Sequence, residues 1–484
     1  MSNVVSTPDR AWLKPALLGV GLLTLYRVLA LWWGQLDLFV DEAQYWFWGQ
    51  ELAFGYYSKP PMIGWVIRAF VEAAGSDAAF WVRLPAPLFH AVTALILGAI
   101  AREHLGHRAA VMTALGYATM PVIAVGSTLI STDTIMFPFL ALALGGYLRL
   151  VLEPSRNLAL FTGAMLGLAF LSKYAAIYYI MCAGLVALAL PLERLRARNY
   201  GMILLAFLIT ISPNILWNVI NGFSTVQHTM DNADWVRDPS ARAGLNLTGL
   251  AEFFLLQFAV FGPLIFAALL TMGWQAIRGQ LTLVQVTLLL FALPIIAVVC
   301  IQALLSEAYA NWAAAASIAG IVAVMPWLIE RPRWLRASFW INGAVSVVLP
   351  LLTLFAGSLS LDGENLVFNR YVGLDEMSEK IFQLAEDTDQ TVIVASNRDV
   401  LADLFYTGKG RGFTIYASPF EGRAPHHYAL KHPFESTGST VLYVQKEGRS
   451  RPCPEFTKFE INNDEGKYRT RQYMGFVIEG DCLE

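Results

Sequence analysis

Two adjacent carboxylates, Asp41 and Glu42, stand just beyond an apolar run and are followed by Gln44, Tyr45, Trp46, Phe47 and Trp48. A carboxylate so placed can take the proton of an attacking hydroxyl or amine as general base, and Asp41 is the candidate, with Glu42 beside it. Taken alone, either acid equally suits the first turn of a helix, where the dipole favours negative charge. The aromatic residues that follow suit a helix lying in a membrane interface. Further along the same polar stretch comes Gly55-Tyr56-Tyr57-Ser58-Lys59-Pro60-Pro61. Paired prolines fit a helix start, and Lys59 together with the free backbone N–H groups there can grip a phosphate. The plainer alternative is a lysine that snorkels to the interface.

Asp133, in Ser131-Thr132-Asp133-Thr134, lies between two otherwise uncharged apolar runs. An acid at membrane depth is costly and usually faces a cavity or a partner; a helix N-cap is the alternative. Lys173 sits where two further apolar runs meet, able to neutralise a phosphate or to anchor the helix ends. The stretch from Val226 to Trp235, with His228, Asp231 and Asp234, and the stretch Glu307-Ala308-Tyr309-Ala310-Asn311-Trp312 offer hydrogen-bonding and aromatic groups suited to a sugar. Polar caps and interface anchors are the bland reading of both. His228 has no second histidine at ligand spacing, so no metal site is read and no cofactor is expected.

A sugar phosphate carried on a lipid would need this set. Its anionic headgroup lies at the interface, where Lys59 and Lys173 can meet it, and its lipid needs apolar spans. Displacing the phosphate from the anomeric carbon requires the acceptor to lose a proton. The leaving group is already a good anion, so a lysine can stabilise it in place of protonation or a metal.

The elements that must position these residues are membrane helices. The chain of 484 residues is 56% hydrophobic and 15% charged, with mean hydropathy +0.50, which places it in a bilayer. Its formal charge of −3 and scattered basic residues give no nucleic-acid surface. A crossing needs about 20 mostly apolar residues. Eleven candidates are read, at 12–33, 80–100, 109–126, 134–152, 158–171, 175–190, 202–219, 250–272, 283–303, 312–329 and 338–359. The first lacks a cleavage site after it and is taken as a retained span. Arg27, in its outer half, calls for a partner inside the bundle.

With the N-terminus cytoplasmic, the inner connections collect Arg102, Arg108, Arg156, Arg194, Arg196, Arg198, Arg278, Arg331, Arg333 and Arg336, a positive-inside pattern. The outer side then holds the loop 36–79, Asp133, Lys173, the loop 220–246 and Glu307. This orientation predicts a multi-pass membrane protein with Asp41, Tyr56, Lys59 and Asp133 converging on one outer face.

Hydropathy collapses after residue 359, so the domains are read as 1–359 in the membrane and 360–484 as a small α/β domain outside it. Its pattern predicts helices at 374–386 and 398–406 and strands at 391–395, 413–416, 441–445 and 472–478. Cys182 and Cys300 fall in apolar runs and read as small hydrophobes. Cys453 and Cys482 in the tail can be joined if it lies outside the cytoplasm.

Asp41-Glu42 closing the first span, Tyr56 with Lys59-Pro60-Pro61 in the same loop, and Asp133 in the next outer loop resemble the GT-C membrane glycosyltransferases related to protein O-mannosyltransferases. Within that group the pattern is similar to the bacterial aminoarabinose transferases of lipid A and the lipid A galacturonosyltransferases. The resemblance covers residues 12–312 and fits the tail only loosely. Together with the spans and the patterned tail it gives a polytopic α-helical fold of GT-C type, with about 11 transmembrane helices and a small C-terminal α/β domain. It also implies an inverting transfer, on the periplasmic side of the bacterial inner membrane, from a polyprenyl-phosphate sugar to an envelope acceptor, lipid A or another lipid or a protein; contact with membrane lipids and a monomeric chain are expected. Asp41 and Asp133 correspond to catalytic or acceptor-positioning carboxylates, and Lys59 and Tyr56 to donor-phosphate contacts. Tyr45 follows the family pattern, and Asn311-Trp312 is similar to an Asn-Trp pair of many bacterial members. Gln44 stands where the aminoarabinose transferases carry an arginine, which argues against that donor sugar.

Two other classes compete. A transporter or flippase of lipid-linked intermediates also needs many spans and interfacial cations, but it typically places polar groups near the bilayer midplane in repeated halves; here they lie in outer loops and no repeat is present. A non-catalytic scaffold leaves the grouping of Asp41, Lys59 and Asp133 unexplained.

Overall fold

The computed structural model describes residues 11–190, 195–231, 245–360, 365–435, 438–448, 457–463 and 466–483. The chain forms two compact units, one of Met1–Leu31, Lys59–Ile63 and Arg83–Pro350, the other of Trp32–Ser58, Gly64–Val82 and Leu351–Glu484. A division at residue 359 assigns most of the first outer loop to the membrane part, whereas the structure groups it with the tail.

The first unit is helical. Among the described residues, the helices Leu13–Trp33, Ala79–Leu105, Thr132–Leu152, Ala197–Ile220, Leu283–Leu305 and Pro332–Phe355 are long and apolar enough to cross a bilayer. Three shorter apolar helices are Arg156–Ser172, Tyr174–Ala189 and Ala316–Ile329. Leu17, Leu18, Leu22, Leu25 and Leu29 stand exposed on the first helix, as a lipid-facing surface requires. Helix Ala316–Ile329 is buried throughout 316–325, the mark of an all-round apolar helix inside a bundle.

Close approach between helices rests on small residues. Gly163 and Gly167 lie four apart on helix Arg156–Ser172. A Cβ at Gly163 would come within 2.2 Å of the Ile203 carbonyl oxygen, and one at Gly167 within 2.6 Å of Thr210. This small-xxx-small spacing lets helix Ala197–Ile220 pack backbone to backbone.

Two expected spans are not continuous. The run 250–272 is two helices, Leu247–Phe261 and Pro263–Ile277, bent by 114°. Gly262 at φ +87° ends the first, Pro263 starts the second, and Asn342 Nδ2 donates to the Phe261 carbonyl at 3.3 Å. The run 109–126 likewise divides into His107–Thr119 and Pro121–Gly126, with Met120 extended between them. Proline explains both, since it opens a helix readily but cannot continue one. Arg27 has its partners inside the bundle. Its Nη2 donates to the Ala118 carbonyl at 2.7 Å, near a helix C-terminus, and lies 3.5 Å from Ser346 Oγ.

The second unit is built on a five-stranded sheet of order β2-β1-β3-β5-β4. The strands are β1 (Val392–Ala395), β2 (Thr414–Ala417), β3 (Thr440–Lys446), β4 (Thr457–Ile461) and β5 (Tyr473–Glu479). β1 runs parallel to β2 and β3, and β5 antiparallel to β3 and β4. Helices Leu374–Asp387 and Arg398–Thr407 flank β1 in the chain. The edge strand β4 and the short helix His427–Lys431 are not in the sequence reading. Helix Val40–Gln50 of the first outer loop belongs to this unit. Trp46 and Trp48 on it are each 1% exposed, with Trp46 edge-on to Tyr406 and Phe47 against Phe405 and Tyr428. These rings are buried in protein, not spread in a membrane interface as expected, because the tail offers them an aromatic surface.

Candidate active site

In the membrane unit the structure joins three residues that the sequence presents separately. Asp133 is the second residue of helix Thr132–Leu152, and Lys173 follows helix Arg156–Ser172 as its C-cap. Lys173 Nζ donates to Asp133 Oδ1 at 2.8 Å and to Oδ2 at 2.7 Å. Asn311 Nδ2 stands 3.5 Å from Oδ2. The cap that was the alternative for Asp133 is taken by Ser131, whose Oγ accepts from the Thr134 N–H at 3.3 Å, and the carboxylate is turned to a partner, the lysine. Asp133 is 8% exposed, and a carboxylate that sheltered is stable only with a cation and hydrogen bonds at hand. Behind it a polar chain runs from Thr134 Oγ1 to His90 Nε2 at 3.2 Å, and from His90 Nδ1 to the Tyr117 hydroxyl at 3.0 Å. His90 is not among the residues singled out from sequence, although a histidine inside an apolar run is a signal in itself.

Lys59 is half-buried in the turn before helix Met62–Ala74, which begins directly after Pro60-Pro61 as expected. Trp312 is half-buried with its ring 5.6 Å from Tyr309. His228 is half-buried on helix Ser224–Asp231; Asp234 and Trp235 lie outside the described residues. An apolar cavity of about 300 Å³ opens in this unit, lined by Tyr147, Leu166, Tyr179, Phe207 and Phe291 among others.

In the second unit Asp41 and Glu42 occupy the first turn of helix Val40–Gln50, with different surroundings. Glu42 is 2% exposed and its Oε2 accepts from the Phe39 N–H at 3.0 Å, the helix-start role that was the alternative to catalysis. Asp41 points to an arginine of the tail. Arg398 Nη2 donates to Asp41 Oδ1, and Arg398 Nε donates to Gln44 Oε1 at 2.9 Å. Arg398 enters the sequence reading only as the start of a predicted helix and not as a site residue; more than 350 positions separate it from both partners, and no local pattern connects them.

Tyr56 is a buttress by its contacts. Its ring stacks on Trp48 at 4.9 Å and 3°, and its hydroxyl donates to the Trp48 carbonyl at 2.8 Å. Burial, the largest influence, pushes the phenol up to about 12, so it stays a donor at neutral pH with the backbone as acceptor. Tyr45 is buried, its ring 5.3 Å from Trp48. Cys453 lies outside the described residues, and with it the pairing to Cys482 that the sequence left open.

Asp133 in the first unit and Asp41 in the second are thus each held by a long cation, a pattern suited to proton transfer beside an anionic leaving group. Residues 58–217 match the family model of dolichyl-phosphate-mannose-protein mannosyltransferases. The chain is 38% identical over 466 residues to the lipid A galacturonosyltransferase RgtD of Rhizobium johnstonii, covering 95% of this chain and 97% of that one. It is 29% identical over 241 residues to the lipopolysaccharide core galacturonosyltransferase RgtB of the same organism, about half of each chain (48% and 47%). The crystal structure of ArnT from Cupriavidus metallidurans bound to undecaprenyl phosphate shares the fold, with a TM-score of 0.64 at 16% identity over 96% of this chain and 98% of that one. The chain belongs to the GT-C membrane glycosyltransferases that include the lipid A galacturonosyltransferases. It is an enzyme of glycosyl transfer and a multi-pass membrane protein.

Proposed function

We propose that this enzyme moves a galacturonosyl residue from a polyprenyl-phosphate donor to lipid A on the periplasmic face of the bacterial inner membrane. The observation that carries the reading is the 38% identity to a lipid A galacturonosyltransferase across 95% of the chain. Gln44 in place of the arginine of the aminoarabinose transferases agrees with a different sugar. In this reading the chain crosses the membrane eleven times, counting each of the two divided runs, 107–126 and 247–277, as one crossing, with the N-terminus in the cytoplasm and the tail in the periplasm. Its arginine-rich inner connections support that orientation.

The reaction is a single displacement. The acceptor oxygen attacks the anomeric carbon from the face opposite the phosphate, and the bond from that carbon to the phosphate oxygen breaks. The electron pair leaves on polyprenyl phosphate and the anomeric configuration inverts. Asp41 takes the proton of the acceptor. Lys59 and Lys173 meet the charge that gathers on the phosphate, Asp133 holding Lys173 in place until it does. Tyr45, His228, Asn311 and Trp312 serve as sugar or acceptor contacts. The apolar cavity suits a stretch of isoprenoid.

The test is the envelope itself. Lipid A from cells with and without the gene should differ by the mass of one hexuronic acid residue. An unchanged lipid A profile, with the change appearing on a glycoprotein or nowhere, rejects lipid A as acceptor.

A further inference from the structure

We propose that Arg398 is a positioning residue for transfer: anchored on Gln44, its guanidinium orients the Asp41 carboxylate, so that the C-terminal α/β domain completes the catalytic apparatus. The inference rests on Asp41 being the base.

The geometry is that of a fork. Asp41 and Gln44 are three apart on helix Val40–Gln50, and residues at that spacing share a face. Arg398 spans them, with Nε on Gln44 Oε1 at 2.9 Å and Nη2 on Asp41 Oδ1. Gln44 is buried, at 3% exposure, so it is a fixed anchor, whereas the Asp41 side chain is 46% exposed. One oxygen of Asp41 is therefore pinned. The other, Oδ2, has no hydrogen-bond partner among the described residues and is left for the acceptor proton.

An exposed ion pair between two mobile side chains contributes little, about 0–1 kcal/mol, but neither partner here is mobile at its root. Arg398 opens helix Arg398–Thr407, which Asn397 caps by accepting from the Asp399 N–H at 2.8 Å. The same helix presents Phe405 to Phe47 and Tyr406 to Trp46, with ring centroids 4.7 Å and 5.0 Å apart. Tyr406 also donates to the Asp77 carbonyl at 2.8 Å, and Lys409 to Asp77 Oδ2 at 2.6 Å. Two helices so locked set the guanidinium at a defined point above Asp41. The rigid planar fork of arginine suits that task; the point charge of lysine fulfils it in part.

The test compares purified full-length wild type with Asp41→Asn, Arg398→Gln, Arg398→Lys, Gln44→Met and the double variant Asp41→Asn/Arg398→Gln. Arg411→Gln, which breaks an exposed pair with Glu379 in the same domain, is the control and should keep wild-type rates. Steady-state transfer is measured with polyprenyl-phosphate galacturonate and lipid A, together with the melting temperature of each protein. Arg398→Gln should lower kcat by about 10- to 100-fold, with the donor KM within about twofold. Arg398→Lys should recover part of the loss, and the double variant should be no slower than Asp41→Asn alone. Wild-type kcat in Arg398→Gln while Asp41→Asn is dead overturns the inference and leaves the base assignment standing, as does a double variant slowed by the product of both losses. Wild-type transfer by Asp41→Asn overturns the base assignment instead. Should Arg398→Gln melt early, Arg398→Lys and Gln44→Met decide: full activity in both rejects the proposal, and reduced kcat at unchanged KM supports it.

Discussion

Lys173 holds both carboxylate oxygens of Asp133, at 2.8 Å and 2.7 Å. The acid is thereby neutralised at a depth where it would otherwise be costly, and in the proposed reaction the cation it holds is the one that later meets the donor phosphate.

Breaking that pair should have unequal effects from its two ends. Lys173→Met leaves Asp133 sheltered without its cation, at a cost of about 2 kcal/mol, less than for a fully buried pair because both side chains keep some exposure. It should also raise the donor KM. Asp133→Asn keeps the lysine charge, so the donor KM should hold while kcat falls at least tenfold. Melting curves and steady-state kinetics in detergent separate the two. Identical behaviour of both variants would deny the lysine a role with the donor.

The helix contact at Gly163 admits no side chain. Gly163→Val should lower the melting temperature sharply, by an overpacking cost of about 1–3 kcal/mol or more, because its Cβ would meet the Ile203 carbonyl at 2.2 Å. Gly21→Ala is the control, since no atom lies within 4 Å of an added Cβ there and alanine favours the helix. Equal stability of the two variants would mean the helices do not pack at this glycine.

Tyr56→Phe keeps the stacked ring and loses a hydroxyl bonded to the Trp48 carbonyl. It should cost about 1 kcal/mol in stability and leave the donor KM unchanged. A clear rise in that KM would return the hydroxyl to the donor phosphate.

Two neighbouring histidines make the second unit acid-sensitive. Burial, aided by Arg398, pulls the His426 imidazole down to about 4; burial, aided by Lys431, pulls His427 down to about 3. Both are neutral in the fold, while the unfolded chain takes up its protons near pH 6.5, so their contribution is complete above that pH. It is lost progressively as the pH falls toward 4, on the order of 2 kcal/mol for His426. His426→Asn keeps an acceptor for the Ala429 N–H that His426 now caps and removes the titration. The drop in melting temperature between pH 7.5 and 5 should therefore be smaller in His426→Asn than in wild type. Parallel drops would show that His426 does not titrate on unfolding.

Hydropathy and period made most elements readable, because burial in lipid or in a sheet imposes those patterns directly. The break at Gly262-Pro263 was written in the residues themselves, yet an apolar average runs straight across it. Strand β4, Thr457–Ile461, has one fully buried residue, Ile461, and therefore almost no apolar signal. Asp133 and Lys173 stood out as charges among apolar runs, but their pairing is a property of helix packing and has no local trace. The same is true of Arg398, an ordinary helix-start arginine until the tail folds against helix Val40–Gln50.

The most direct test incubates purified wild-type and Asp41→Asn proteins with polyprenyl-phosphate galacturonate and lipid A, and follows the product by mass spectrometry and the anomeric linkage by NMR. Wild type should make lipid A heavier by one hexuronic residue with inverted configuration, and Asp41→Asn should be slower by about 100-fold or more. Equal rates from both proteins, retained configuration, or no transfer from this donor to this acceptor would contradict the assignment.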